Sequence, residues 1–135
     1  MNCRVSQVAL LVSSIIIWTV PPGCSRRDSA PAELLFESNG SYTNMSSEAA
    51  VARFRATADS WAEKYNKQTL SSAGISDEDK NRYNDAMSKE TELLKSGLIG
   101  DGETAEAATR MAKEEAIAAE NRRHFRAEDA INGKR

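Results

Sequence analysis

Apolar and polar positions change rhythm along the chain. Val8 to Val20 (VALLVSSIIIWTV) is a run of thirteen largely apolar residues, closed by Pro21, Pro22, Gly23 and Cys24. Ser25 to Ser47 keeps no sustained period and is rich in Ser and Asn. From Ser47 the period becomes helical. Val51, Phe54, Ala58, Trp61 and Tyr65 recur at alternating three- and four-residue steps, while Arg53, Arg55, Asp59, Glu63, Lys64 and Lys67 take other faces. The pattern predicts an amphipathic helix over about 47–70, ended by Ser71-Ser72-Ala73-Gly74.

A second helix is expected over about 76–96. Ser76 supplies an N-cap hydroxyl, and Asp77, Glu78 and Asp79 place acids in the first turn, where unpaired N–H groups and the helix dipole favour them. Asp77, Asp79 and Asn81 also have the alternation of a calcium loop, but Arg82 stands where that loop needs its glycine. The expected buried face is Tyr83, Ala86, Met87, Leu93 and Leu94, with Gly97 as the left-handed residue after the helix and Leu98 packing back on Leu93. Gly100-Asp101-Gly102 is the next turn. A third helix, about 102–130, is rich in Ala, Glu, Lys and Arg, all strong helix formers. Its apolar stripe is thin: Ala108, Met111, Ala118 and Phe125, with Ile117 off to one side. Acids precede bases by four residues at Glu63/Lys67, Glu78/Arg82, Asp85/Lys89 and Glu106/Arg110, each pair worth a few tenths of a kcal/mol. The fold class is all-α. Either a small three-helix antiparallel bundle or an extended helical hairpin satisfies the pattern, preceded by a cleaved signal segment and a flexible linker.

Charge narrows the partners. The net charge is -2, and residues 1–23 hold one charged side chain, Arg4, which leaves 17 basic against 20 acidic residues in the remainder. Nucleic acid needs a basic face to displace its counterions, and none is predicted. The chain has two cysteines, Cys3 and Cys24, and one histidine, His124. That is too few ligands for a structural zinc site, which wants about four. His124 sits among Arg122, Arg123 and Arg126, and the glycines lack the Lys-Ser/Thr of a phosphate loop. No catalytic set, metal site or cofactor is expected.

The N-terminal segment carries the compartment. Arg4 followed by the apolar run has the order of a secretory signal, and a run of this length falls short of the roughly 20 apolar residues that a spanning helix needs. Ala30-Pro31-Ala32 has the ends of a general cleavage site but lies beyond Arg26 and Arg27. Gly23-Cys24 stands directly after the run, where a bacterial lipobox ends. Residues 1–24 resemble the signal segment of bacterial lipoproteins, with Pro21 in the place usually held by Leu. The resemblance implies that Cys24 is the first mature residue and is acylated. Ser25 after it implies the outer membrane.

The expected organisation is a signal segment over 1–23, a lipidated Cys24 with a tether over 24–46, and a helical domain over 47–135. As a flexible coil of about 22 residues the tether would span on the order of 26 Å. Leu34, Leu35 and Phe36 interrupt it, either docking on the helices, skimming the membrane or serving a partner. Asn39-Gly40-Ser41 and Asn44-Met45-Ser46 match the glycan acceptor pattern, which matters only in a eukaryotic source. Two surfaces are candidates for interaction: the stripe of Phe54, Trp61 and Tyr65, and the basic group of Arg122, Arg123 and Arg126, which faces anionic lipid or an acidic protein. The function expected is that of a lipid-anchored helical protein with a structural or protein-interaction role in the cell envelope, with the membrane and an unidentified protein as partners. The alternative is a soluble secreted or periplasmic binding or inhibitor protein using the Phe54/Trp61/Tyr65 face.

Overall fold

The computed structural model describes residues 33–38 and 40–133. The apolar run, Cys24, residues 25–32 and Asn39 lie outside the described residues. The folded unit begins at Leu34. It holds three helices, α1 (Ser47–Thr69), α2 (Asp77–Gly100) and α3 (Ala105–Asn132), and each packs against the other two. The hairpin alternative is thereby excluded and the bundle holds.

Each helix starts on a side-chain cap. Ser46, Ser76 and Thr104 accept hydrogen bonds from the backbone N–H of Ala49, Asp79 and Ala107, relieving one orphan donor apiece. Ser76 also donates to Asp79 Oδ2 at 2.8 Å, so cap and first turn brace each other. The expected Glu78–Arg82 pair forms at 2.6 Å.

The second helix runs past Gly97 to Gly100. Gly97 is therefore helix interior, and the left-handed residue is Gly102 at φ 110°. There the N–H of Glu103 reaches Leu98 O and that of Gly102 reaches Ile99 O, both at 3.0 Å. This is the Schellman pattern, five residues later than expected. Leu98 consequently belongs to the core, fully buried, and Leu93 is turned outward, 40% exposed.

Gly97 serves a different purpose. A Cβ built on it would lie 2.6 Å from Tyr42 Cβ, so only glycine lets the chain cross there. Tyr42 is 2% exposed and enters the core beside Phe54, Leu94 and Leu98. Its hydroxyl donates to Glu90 Oε1 at 2.5 Å and also bonds with Thr57, and both of those partners are buried. Arg53 donates to Ser41 O at 2.6 Å and holds its guanidinium 5.8 Å from the Tyr42 ring centroid. Residues 34–38 and 40–46 are thus a strap on the bundle. The expected tether is corrected from Leu34 onward, because Tyr42 buries its ring and Phe36 half-buries its own, where a free linker would leave both in water.

α3 contributes small residues to the interior. Ala108, Ala112 and Ala119 are buried, and Arg123 continues their face. Phe125, expected on the apolar stripe, is 66% exposed, and Ile117 is 53% exposed. The helix packs through its alanines, which let it approach its neighbours closely.

Gly97→Ala should cost about 2 kcal/mol by forcing Tyr42 out of its seat. Gly100→Ala, where nothing lies within 4 Å of the added Cβ, should be neutral or stabilise by up to about 1 kcal/mol. Urea unfolding of the two variants separates them, and equal stabilities would contradict the close approach of Tyr42.

Candidate interaction surface

The stripe predicted on α1 is a packing face. Phe54 and Trp61 are 0% and 3% exposed, and Tyr65 is half-buried. As candidate interaction residues Phe54 and Trp61 are corrected to core residues: the bundle covers the first and the strap covers the second. Phe36 of the strap stands edge-on to Trp61 at 6.1 Å between ring centroids and to Tyr83 at 5.3 Å. Tyr83 in turn meets Tyr65 at 4.7 Å. Four rings from the strap, α1 and α2 form one cluster, with edge-to-face contacts of the kind that aromatic quadrupoles favour. Trp61 Nε1 donates to Glu37 O at 3.3 Å, so the indole also holds the strap's backbone.

Arg123 closes this cluster from the side of α3. Its guanidinium lies 4.4 Å from the Tyr65 centroid and 5.7 Å from that of Tyr83, a cation–π arrangement. It also bonds Glu120, which accepts from Tyr83 Oη at 3.3 Å. Arg123's hydrogen bond holds the Glu120 carboxyl below the usual carboxylate range. Burial first, then the Glu120 charge, pushes the Tyr83 phenol up. Burial and the bond to Glu90 do the same for Tyr42. Asn66 Nδ2 donates to Arg123 O at 3.0 Å and ties α1 to α3 beneath the cluster.

The basic group predicted near the end of α3 does not form one open patch. Arg123 is buried. Arg122 Nε and Arg126 Nη2 each donate to Asp59 of α1 at 3.1 Å. Asp59 divides two cations between its oxygens, and the pairs join α1 to α3. Arg55 and Glu115 make a further bidentate link between these helices at 2.8 and 2.6 Å, and Arg55 holds the Glu115 carboxyl below its ordinary range. All three arginines have acidic partners within the bundle, and of the three only Arg123 is buried. Lys134 and Arg135 lie outside the described residues. His124 is exposed, its Nε2 3.4 Å from Glu120 Oε1.

Tyr42 and Glu90 were not singled out from the sequence, whereas Phe36 belongs to the Leu34–Phe36 segment for which docking on the helices was one of the expected readings. One signal was present: Glu90 falls between Tyr83, Met87 and Leu94 on the buried stripe of α2, and a carboxylate at a core position demands a partner. Arg123 carries the same signal, four residues after Ala119. Among the described residues no three His, Cys, Asp or Glu side chains gather as a metal site, and no helix is long and apolar enough to cross a membrane. Compared with known proteins, the chain matches no family model, no curated protein and no solved structure.

Tyr42 and Tyr83 stay protonated in the fold above their ordinary value of 10.0. In the unfolded chain they ionise near that value. Their contribution to stability is therefore complete below about pH 10 and is lost as the pH rises further. Ultraviolet phenolate absorbance followed with helicity should show both tyrosines ionising only together with unfolding. Reversible ionisation of all three tyrosines in an intact bundle would contradict the burial of these two rings.

Proposed function

We propose that the chain is exported, acylated on Cys24 and held by that anchor as a small helical interaction module of the cell envelope, at the outer membrane and facing the periplasm. The observation that carries this reading is the order of residues: Arg4, an apolar run of signal length, Gly23-Cys24 directly after it, and a folded unit that begins at Leu34, ten residues further on. One acyl chain binds a membrane only marginally, and the several chains of a lipoprotein's cysteine give stable anchoring. Ten residues extend at most about 35 Å. The strap takes the residues from Leu34 onward out of the expected tether.

An interaction role is supported by the way the module spends its chemistry. Its polar residues close on one another: Tyr42 on Glu90, Arg122 and Arg126 on Asp59, Arg123 on Glu120. What it presents outward includes isolated apolar side chains, among them Phe125, Ile117, Leu35 and Ile131. Such a body positions surfaces for a partner.

Mass spectrometry of the protein purified from membranes of an expressing bacterium tests the reading. The expected mature chain begins at Cys24 and carries acyl mass on that residue, and Cys24→Ala leaves the chain unprocessed. An unmodified Cys24, or a mature chain that begins elsewhere, would overturn it.

A further inference from the structure

The C-terminal turns of α1 and α3 flank a recess of about 370 Å³. Its walls are Glu63, Asn66, Lys67 and Leu70 on one side and Arg126 and Ala130 on the other. The four α1 residues follow one another at helical spacing, so a single face of that helix borders the recess. Asn66 is 8% exposed, and its Nδ2 donates to Arg123 O at 3.0 Å. That bond fixes the orientation of the amide, since the reverse would set two carbonyl oxygens against each other. Asn66 Oδ1 is then left buried with no hydrogen-bond partner among the described residues. A buried acceptor in that state calls for a donor. The rim is charged. The pair expected between Glu63 and Lys67 does not form among the described residues, and Arg126 places one nitrogen on Asp59 while its side chain stays 51% exposed.

We propose that this recess is a binding site for a free amino acid with an aliphatic side chain, held as its zwitterion. Ligand pockets run from about 300 to 1,000 Å³, so a recess at the low end of that range suits a molecule of this size. The ligand's ammonium group carries three donors, for Asn66 Oδ1 and the Glu63 carboxylate. Its carboxylate meets the cations of Lys67 and Arg126. Leu70 and Ala130 offer aliphatic surface to its side chain. Each wall residue thus has a counterpart in one small molecule. Other ligands match the walls less well. A phosphate would face the Glu63 carboxylate with two cations to hold it, one of them shared with Asp59. A metal ion would find one carboxylate beside two positive charges, and a purely apolar ligand would leave Asn66 Oδ1 unpaired. The site goes beyond the anchored module proposed above and does not depend on Cys24, whose state the mass measurement decides separately.

Proton–nitrogen correlation NMR of the labelled full chain, titrated with L-leucine, tests the site. Leucine should shift the Asn66 side-chain amide and the backbone signals of Lys67 and Ala130, and the shifts should saturate. N-acetyl-leucine lacks the ammonium group and leucinamide lacks the carboxylate. Each should bind about tenfold more weakly than leucine, the loss that one charge-assisted hydrogen bond accounts for. Asn66 is part of the buried interior, so the variant that reads the site without endangering the fold is Lys67→Gln, at an exposed position. It should weaken leucine binding about fivefold, as the loss of one exposed ion pair does at most. The absence of saturable shifts at these positions would overturn the proposal. So would equal binding of leucine and its two derivatives, or an unchanged affinity in the Lys67→Gln chain.

Discussion

Tyr42 seated against Gly97, with its hydroxyl on a buried glutamate, is the contact on which the rest of the structure depends. A carboxyl group as deeply buried as Glu90 is costly unless it is hydrogen-bonded, and the partner comes from outside the helices, from the strap. The requirement runs both ways. Without Tyr42 the bundle has an unsatisfied acid in its core, and without the Gly97 gap the ring has nowhere to go. The strap is thereby made part of the fold.

This dependence explains the composition of the helices. α3 offers alanines to the interior, so bulk must come from Phe54, Leu94, Leu98 and the strap's own Tyr42. Polar links between helices do the aligning: Asp59 gathers Arg122 and Arg126, Arg55 pairs with Glu115, and Arg123 stacks on Tyr65 while bonding Glu120. Exposed ion pairs contribute little individually. Arg123 is different, because it is buried and joins residues of all three helices.

Much of the architecture was legible in the sequence because helix signals are local. The cap at Ser76, the break after Leu70 and the stripe through Phe54 and Trp61 all follow from spacing and backbone chemistry. What escaped was long-range. Gly97 has the local signature of a helix end, and only the crossing of Tyr42, 55 residues earlier, gives it another use. Leu34 to Ser46 has the composition of a linker, and its order comes from side chains of α1 and α2. Phe125 matched the helical period but faces outward, since the alanine face of α3 lies elsewhere. The arginines near the end of α3 read as a basic patch because their acidic partner on α1, Asp59, lies more than 60 residues away in the chain.

The strap is folded onto the bundle through Tyr42, and the compact unit begins at Leu34. Proton NMR of the full chain addresses it directly. The account predicts nuclear Overhauser contacts between the Tyr42 side chain and the α-protons of Gly97, with those protons displaced by the tyrosine ring current. Random-coil shifts for Tyr42 and no contact with Gly97 would contradict it.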